Sequence, residues 1–315
     1  MGSQIRYLTL SCFLLALTGC GSVSQVTGPG PSPTPTQAGP SVTVDHVFLV
    51  LLENHGYSQV IGSASMPYLN SLANQHALAT NYFADTHPSL GNYFMLTVGN
   101  METNPIVGDS FIGPVPDNNI ARALTGAGKS WKAYMESLPS AGYTGGDVYP
   151  YFKHHNPFAY MTDVLGSSSQ AANIVPFTQL AADAASGSLP SFGFIAPNAE
   201  NDSHDCPAGG SACTDADKLL AADTWLRNNI DPLINSAAVT NSVVIIVFDE
   251  SLDIDIVNGG GKVAMVMAGA HVKTGFRSIT FYQHQSTLRL ILDLLRVADH
   301  PGISGNAASM QEFFQ

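Results

Sequence analysis

Four nearly continuous apolar segments stand out along the chain, each bounded by polar residues or by glycine and proline. The clearest are residues 44–52 and 242–248, and residues 189–195 and 263–268 show a shorter form of the same pattern. An apolar run without polar alternation is typical of a strand that is buried on both faces of a sheet. Residues 78–84 are expected to form a further strand.

Segments with helical spacing of apolar residues lie between these strands, at residues 66–77, 215–234 and 283–297. Strands that alternate with helices predict an α/β fold, in which a mostly parallel central sheet carries helices on both faces. In sheets of this kind, ligands bind beyond the carboxyl ends of the strands. We therefore expect functional residues directly after the two longest apolar runs.

The first twenty residues are expected to be a bacterial lipoprotein signal peptide. An apolar run at residues 7–17 follows Arg6 and ends in Leu-Thr-Gly-Cys, which resembles a lipobox with Cys20 as the lipidated residue. An ordinary secretory signal with an incidental cysteine is the alternative. Residues 21–41 are rich in proline, glycine and serine and predict a semi-extended tether, followed by one domain at 42–315. We expect an exported protein, lipid-anchored to a bacterial membrane and facing the cell surface or the periplasm.

Composition limits the class of partner. The 315 residues are 45% hydrophobic and 11% charged, with a formal net charge of -12. Nucleic acid is not an expected partner, because its phosphate backbone is bound by clusters of Lys and Arg and this sequence has none. A phosphate ester is still compatible with the negative charge, since a bound metal ion reverses the local field.

Two cysteines of the domain lie close together in sequence. Cys206 and Cys213 are seven residues apart in the glycine-rich segment CPAGGSAC. In an exported protein this arrangement predicts a local disulfide bond. A zinc site is the alternative, although two thiolates without a second pair nearby make an incomplete set of zinc ligands.

Pairs of oxygen-bearing side chains follow the two longest apolar runs. Glu53 and Asn54 come directly after the first run, and Asp249 and Glu250 come directly after the run at 242–248. Such hard oxygen ligands suit Mg²⁺, Ca²⁺ or Mn²⁺. Carboxylates brought together without a cation repel one another, so a shared divalent ion is the simplest explanation if the two pairs converge. The alternative is that polar residues merely end these strands.

A candidate nucleophile, Ser89, lies in the segment THPSLGNY, between a predicted strand and an apolar stretch with helical character. A serine at the start of a helix is next to free backbone N–H groups and the positive end of the helix dipole. Both favour attack on a phosphate group. The alternative is a serine that only caps the helix.

Several histidines are candidates for phosphate contacts or proton transfer. His204 follows a predicted strand, in the polar run 198–205, and is a candidate general acid, with a plain capped loop as the alternative. His154 and His155 are adjacent, and we expect that two adjacent residues of a regular element do not both face one site. His284, at the start of the last predicted helix, is more simply a capping or packing residue.

Taken in order, six segments resemble the signature blocks of the bacterial acid phosphatase and phosphatidylcholine-preferring phospholipase C phosphoesterase family, within the alkaline-phosphatase-like superfamily. The segments are LLENHGY, THPSLGNY, KHHNPF, IAPNAENDSHDC, VFDES and YQHQSTLRLILDLLRV, and the resemblance covers about residues 44–315. It implies a three-layer α/β sandwich around one divalent metal ion.

The resemblance also implies roles for individual residues. It implies a nucleophile at Ser89, because superfamily relatives place the nucleophile three residues before an asparagine, here Asn92. The implied metal ligands are Glu53, Asn54, Asp249 and Glu250. The implied catalytic and phosphate-binding histidines are His155 and His204, with His154 and His87 as further substrate-binding candidates.

Three positions depart from the family pattern. Ser251 stands where family members often have glycine, Gly91 stands where proline is usual, and Lys262 stands where histidine is common. A protonated lysine does not bind a metal ion, so position 262 is doubtful as a ligand.

The sequence thus predicts a metal-dependent phosphoric ester hydrolase, an acid phosphatase that acts on phosphomonoesters through a phosphoserine intermediate. A phospholipase C-type phosphodiesterase and an inactive anion-binding surface lipoprotein are the alternatives. Monoesters are favoured over phospholipids because the sequence contains no basic amphipathic helix of the kind that binds membranes. A sulfatase is disfavoured, since no C/S-x-P-x-R signature surrounds Ser89.

Overall fold

The computed structural model of the protein describes residues 42–103 and 106–315. The predicted signal peptide, the lipidation site at Cys20 and the tether at 21–41 lie outside these residues. Among the described residues, every helix is too short or too polar to cross a membrane.

A large, mostly parallel sheet forms the centre of the domain. In chain order the strands are β1 (His46–Leu52), β2 (Ala77–Ala79), β3 (Tyr82–Phe83), β4 (Trp131–Met135), β5 (Ile174–Pro176), β6 (Phe192–Ala196), β7 (Ser242–Phe248), β8 (Met265–Gly269), β9 (Phe276–Ser278) and β10 (Tyr282–Gln283). The central sheet orders them β5-β4-β6-β1-β7-β8-β2-β9, and β3 pairs separately with β10. The strands from β5 to β7 in this order are all parallel, whereas β8 runs antiparallel to both of its neighbours.

Helices cover both faces of the sheet, so the predicted α/β fold is confirmed. The helices are α1 (Tyr57–Val60), α2 (Pro67–Gln75), α3 (Ser89–Thr97), α4 (Ile120–Gly126), α5 (Thr162–Leu165), α6 (Ser168–Ala171), α7 (Gln179–Ser186), α8 (Asp215–Asn229), α9 (Asp231–Ile234) and α10 (His284–Leu294). Helix α2 packs against α8, and α3 packs against α10. The neighbouring strands β1 and β7 are buried almost completely between these layers, as their continuous apolar sequences predict.

Two sequence-based element predictions were wrong in detail. The segment 78–84 is not one strand, because the chain leaves β2 at Thr80, whose N–H and Oγ1 both donate to the Ser278 carbonyl at 2.8 and 2.6 Å. It then joins the second sheet as β3. The long helix predicted at 215–234 is two helices, α8 and α9, since Pro232 has no N–H to continue the helical hydrogen bonds.

The reversed direction of β8 was not expected either. A parallel return to the sheet needs a crossover of a dozen or more residues, usually containing a helix. Residues 249–264 join β7 to β8 as a loop without a helix, and the chain turns back on itself. This loop carries the residues that follow β7 along the carboxyl edge of the sheet.

Candidate active site

The two acidic strand ends meet, and this is the condition under which the sequence favours a shared cation. Strands β1 and β7 are parallel neighbours in register, with Leu52 opposite Phe248, so both leave the sheet at the same edge. The Asp249 N–H donates to the Leu52 carbonyl at 2.9 Å, and the Asn54 N–H donates to Asp249 Oδ1 at 3.1 Å. Asn54 thus reaches the site through its backbone, at a positive φ of 57°.

Ser89 lies between the two strand ends. It is the first residue of α3, and its Oγ donates to Glu53 Oε2 at 2.9 Å and approaches Glu250 Oε1 at 3.3 Å. The residue at the capping position is Pro88, and the serine hydroxyl bonds to carboxylates of other elements rather than to its own helix. The alternative of a helix-capping serine therefore does not fit, whereas the geometry expected of a nucleophile does.

Asn92, one helical turn after Ser89, holds the segment that leads into α3. Its Oδ1 accepts hydrogen bonds from the N–H groups of Asp85 and Thr86 at 2.9 and 3.2 Å. Its Nδ2 donates to the Thr86 carbonyl at 2.8 Å and lies 3.5 Å from Glu250 Oε2. The side chain thus orients the loop that carries the candidate nucleophile.

A tyrosine that the sequence analysis did not select completes the surroundings of Glu53. The Tyr93 hydroxyl donates to Glu53 Oε1, and its ring stacks on that of His155 with 5.5 Å between the centroids. His155 Nε2 lies 3.4 Å from the same carboxylate oxygen. The spacing of Ser89, Asn92 and Tyr93 at i, i+3 and i+4 places all three on one face of α3, which is the signal by which Tyr93 was recognisable.

Asp202 is a second residue of the site that the sequence did not single out. His155 Nδ1 lies 3.1 Å from Asp202 Oδ2, so the imidazole stands between two buried carboxylates. Asp202 Oδ1 accepts from the His204 N–H at 2.8 Å, and its carbonyl accepts from the Glu53 N–H at 2.8 Å. Asp202 belongs to the polar run that drew attention to His204, and its position after β6, next to β1 in the sheet, explains why it reaches Glu53.

The remaining predicted histidines surround this centre at different distances. His204 Nδ1 lies 2.8 Å from Asp205 Oδ1, and its ring centroid is 5.7 Å from that of His155. His154 and His155 do lie together, with centroids 4.5 Å apart, because they belong to the tight 3-10 turn Lys153–His155. His155 contacts Glu53 and Asp202, whereas His154 stacks on the Phe152 ring with 4.9 Å between the centroids.

His87 and His284 contact the acidic residues after β7. His87 Nδ1 lies 3.0 Å from Glu250 Oε2, and its Nε2 lies 3.0 Å from the Asp255 carbonyl. Burial opposes a charged imidazole, but these contacts outweigh it and raise the pKa of His87 to about 9. His284 is buried, with Nε2 at 2.6 Å from the Asp249 carbonyl, which fits the predicted packing role.

The carboxyl groups of the site are buried together, and this strongly disfavours their ionised forms. Burial raises the pKa of Glu250 to about 8, and repulsion from Asp249 acts in the same direction. Burial likewise raises the pKa of Asp202 to about 8. The pKa of Glu53 is raised well above its usual value by burial, then by Asp249 and Asp202.

The donor set fits a divalent cation. Asp249 Oδ2, Asp202 Oδ2 and His155 Nε2 are buried atoms that form no hydrogen bond within the described residues, although they lie among ionisable groups. Glu53, His155 and Asp202 offer ligand atoms within 4.8 Å of one another, as do His87, Glu250 and the exposed Asp253. Buried carboxylate and imidazole atoms that lack a hydrogen bond are suited to coordinate a metal ion.

Comparison with known proteins identifies the family. Residues 63–298 match the Phosphoesterase family. The chain belongs to that family. The protein is therefore a phosphoric ester hydrolase. The family resemblance of the six sequence segments is confirmed.

Similar proteins carry names that agree with this family. The chain is 32% identical over 259 residues to a phosphatidylinositol-3-phosphatase of Mycobacterium tuberculosis, covering 80% of this chain and 78% of the relative. It is 31% identical to a probable acid phosphatase of Kluyveromyces lactis, covering 81% of this chain and 60% of the relative. It is also 30% identical to an acid phosphatase of Aspergillus fumigatus, of which it covers only 54%.

Solved structures confirm the fold. An alkaline phosphatase superfamily protein of Vibrio parahaemolyticus superimposes with a TM-score of 0.60 at 14% identity, covering 83% of this chain and 69% of that one. The lipoteichoic acid synthase LtaP of Listeria monocytogenes superimposes with a TM-score of 0.57 at 12% identity, covering 84% and 75%. At this level of identity the similarity concerns the fold.

The cysteine pair and Lys262 of this phosphoesterase lie as the sequence predicts. Cys206 and Cys213 form a disulfide bond, with an S–S distance of 2.05 Å, so the disulfide prediction is confirmed and the zinc alternative is wrong. Lys262, which replaces the common histidine, places its Nζ 4.5 Å from the centre of the Tyr57 ring. It thus forms a cation–π contact outside the cluster of carboxylates.

Proposed function

We propose that the protein is a metal-dependent phosphatase that hydrolyses phosphomonoesters through a phosphoserine at Ser89. The observation that carries this proposal is the position of Ser89 Oγ, which is buried at the start of α3 and within 3.3 Å of both Glu53 and Glu250. A weak nucleophile needs a neighbouring base or cation, and these carboxylates supply either a proton acceptor or the ligands of an ion.

Glu53 and Glu250, which share Ser89 Oγ, would hold the divalent ion together with Asp249. The side-chain oxygen of Asn54 would be a further ligand, as would His155 or Asp202, whose ligand atoms group with Glu53. Such an ion lowers the pKa of a hydroxyl group and neutralises negative charge on phosphoryl oxygens. The unsatisfied buried atoms of Asp249, Asp202 and His155 support this assignment. The kind of ion is restricted by the oxygen-rich donor set to the class of Mg²⁺, Ca²⁺ or Mn²⁺.

In the proposed reaction, Ser89 Oγ attacks phosphorus in line with the leaving group and gives its proton to the carboxylate that accepts its hydrogen bond. The bond between phosphorus and the ester oxygen breaks, and the departing oxygen takes a proton from His204. Water then attacks the phosphoserine and gives its proton to His204. The bond between phosphorus and Ser89 Oγ breaks, Oγ takes its proton back from the carboxylate, and inorganic phosphate is released. His204 suits the acid role because Asp205 orients its Nδ1, and the ring remains partly exposed towards a substrate.

The experiment that tests this function is Ser89→Ala, assayed with p-nitrophenyl phosphate. We expect the rate to fall by several powers of ten, because the variant has no nucleophile. Ser168→Ala is the matched control, since Ser168 is also the first residue of a helix but is exposed and outside the site. A Ser89→Ala variant that is folded and keeps more than about a tenth of the wild-type rate would refute the proposal.

A second candidate substrate class is a phosphate ester carried by a lipid. Large apolar side chains are strongly exposed on loops next to the site: Ile254 is 88% exposed, Ile112 87% and Ile256 72%. The loop with Ile254 and Ile256 contacts His87 through the Asp255 carbonyl. Such a rim is suited to an apolar surface, and the mycobacterial relative is named for a lipid phosphate.

Three substrates separate the candidates: p-nitrophenyl phosphate, a phosphoinositide monoester in micelles and a choline phospholipid in micelles. We propose monoester hydrolysis, so both monoesters should be better substrates than the choline diester. A larger kcat/KM for the phosphoinositide than for p-nitrophenyl phosphate would favour the lipid-borne ester as the substrate class. If the choline phospholipid has the larger kcat/KM by about tenfold or more, the protein is a phospholipase C-type diesterase instead. A wild-type chain without activity on any of the three would support an anion-binding lipoprotein.

We further propose that the protein is exported and anchored through lipid on Cys20. The Cys206–Cys213 disulfide supports export, because such bonds persist in oxidising compartments. The sequence before the domain supports the anchor, through its apolar run, Cys20 and the proline-rich segment 21–41. Intact-mass analysis of the membrane-extracted protein should show a mature chain that begins at lipidated Cys20, and another starting residue would refute this.

A further inference from the structure

A carboxylate outside the predicted site lies at the start of the helix that carries Ser89. Asp109 belongs to the 3-10 turn Gly108–Ser110, and its Oδ1 accepts a hydrogen bond from the Leu90 N–H at 2.9 Å. Leu90 directly follows Ser89 in α3. One of the backbone amides nearest the candidate nucleophile is therefore already bound by an acidic oxygen of the protein.

This amide belongs to the part of the helix that attracts anions. The first N–H groups of a helix have no partner within the helix, and the helix dipole adds positive potential there. A phosphoryl group attacked by Ser89 Oγ has to lie in front of the same helix end. Asp109 offers the Leu90 N–H the same kind of acceptor and the same sign of charge as the phosphoryl group.

The position of Asp109 is fixed by close packing on both sides. Gly108 has a φ of +43°, and a Cβ atom there would lie 2.5 Å from Pro88 Cγ, so only glycine lets the turn approach α3 this closely. On the other side, the ring of Phe111 packs edge-on against Phe94 at 5.8 Å between centroids. The turn is thus anchored at both ends, with the Asp109 side chain directed at α3 between them.

Charged groups of the site act on Asp109 as well. Burial raises the pKa of the Asp109 carboxyl group, and Asp249 acts in the same direction, while the hydrogen bond from the Leu90 N–H, His154 and His204 act in the opposite one.

We propose that Asp109 is a specificity-determining residue that competes with phosphate groups for the Leu90 N–H and so weakens their binding at Ser89. This inference rests on the proposed function of Ser89. Its consequence is fast release of inorganic phosphate, since the product meets a carboxylate that returns to the same amide. Substrate binding then depends on contacts with the metal ion and with the leaving group.

The test is Asp109→Asn, which keeps the oxygen acceptor for Leu90 but removes the negative charge. We expect the inhibition constant of inorganic phosphate to fall by about tenfold. The corresponding change in binding free energy is only a small part of the repulsion energy between like charges a few ångströms apart. The KM for p-nitrophenyl phosphate should fall in parallel. Asp117→Asn is the control, because it removes an exposed carboxylate of the same connecting segment that has no hydrogen bond to α3.

A second measurement uses the unmodified protein and does not depend on a variant that folds. Hydrogen exchange is followed at residues 106–110 and at the start of α3, with and without saturating inorganic phosphate. We expect faster exchange at 106–110 when phosphate displaces Asp109, while the start of α3 stays protected by the bound phosphate. Slower exchange in both segments would mean that Asp109 closes over phosphate, and the inference would be wrong.

The kinetic outcomes separate this inference from the proposed function. If the wild-type protein hydrolyses p-nitrophenyl phosphate and binds phosphate, but Asp109→Asn raises or leaves unchanged the phosphate inhibition constant, only the role of Asp109 is refuted. If the wild-type protein neither hydrolyses this ester nor binds inorganic phosphate by calorimetry, the proposed function itself fails.

Discussion

At the scale of single residues, hydrogen bonds orient the acidic side chains of the site. Glu53 accepts hydrogen bonds from Ser89 on one oxygen and from Tyr93 on the other. Asp249 is fixed through Oδ1 by two backbone N–H groups, while its Oδ2 is buried and forms no hydrogen bond within the described residues. Ligands oriented in this manner bind a cation without further rearrangement.

Tyr93→Phe tests the contribution of such an orienting partner. The variant keeps the ring that stacks on His155 and loses only the hydroxyl that binds Glu53. We expect the apparent affinity for Mg²⁺ or Mn²⁺, measured by restoring activity to the chelated protein, to fall by about tenfold.

Tyr143→Phe is the matched control, because its hydroxyl binds only the Gly146 carbonyl in an exposed loop. If Tyr93→Phe and Tyr143→Phe both bind the ion within about twofold of the wild-type protein, the orienting role of the Tyr93 hydroxyl is wrong.

At the scale of elements, the chain after β1, the loop after β7 and the start of α3 converge on one edge of the sheet. The loop after β7 returns along the segment before α3, where the Gly261 carbonyl accepts from the Ala84 N–H at 2.9 Å. Gly259 has a φ of +112°, and a Cβ atom there would lie 1.9 Å from the Asp85 carbonyl oxygen. The loop and the start of α3 thus lie too close for any side chain at this position.

Gly259→Ala should therefore disturb the site through its backbone. We expect it to lower the free energy of unfolding by about 3 kcal/mol or more, from a strained φ and a clash with backbone, and to reduce activity strongly. Gly62→Ala is the matched control, since Gly62 has a φ of +87° but nothing within 4 Å of the added Cβ.

The control should lose only about 1–2 kcal/mol, from the positive φ alone, and keep its activity. Urea unfolding and phosphatase assays of both variants make the comparison. Equal losses in the two variants would contradict the close approach of the loop to α3.

Much of this arrangement was predictable from sequence at the element scale. The unbroken apolar runs of β1 and β7 predicted two buried strands of a mostly parallel sheet, and the acidic pairs after them predicted functional residues at its carboxyl edge. The reversal of β8 and the division of 78–84 between two sheets were not predictable, because both depend on which distant strand supplies the hydrogen-bond partner. Asp202 and Tyr93 were missed although each lies beside a predicted site residue, because their roles are defined by contacts with Glu53, far away in the sequence.

At the scale of the whole molecule, the domain buries carboxyl groups whose ionised forms are disfavoured in its interior. Glu250 and Asp202 each have a pKa raised to about 8, with burial as the first cause. At pH values between the ordinary pKa of a carboxyl group and this raised pKa, the folded protein holds protons that the unfolded chain has lost. The contribution of these groups to stability is therefore largest at low pH and is lost as pH rises towards about 8.

We predict that the metal-free protein becomes less stable as the pH increases. The pKa of His87, raised to about 9, adds a loss in the same direction, because its proton also favours the folded state. Urea unfolding in chelator should show a decrease of about 1 kcal/mol or more between about pH 5 and about pH 8. Saturating Mn²⁺ or Mg²⁺ should flatten this dependence, whereas a metal-free protein that gains stability over the range would contradict the buried acidic cluster.

The covalent intermediate at Ser89 is the central claim, and mass spectrometry of the enzyme quenched in acid during turnover tests it most directly. Phosphoserine survives acid, so the peptide that contains Ser89 should carry one phosphate group in the wild-type protein during turnover of p-nitrophenyl phosphate. Folded Ser89→Ala should show neither the modification nor turnover above background. Phosphate found on a different residue, or turnover that continues in Ser89→Ala, would contradict the account.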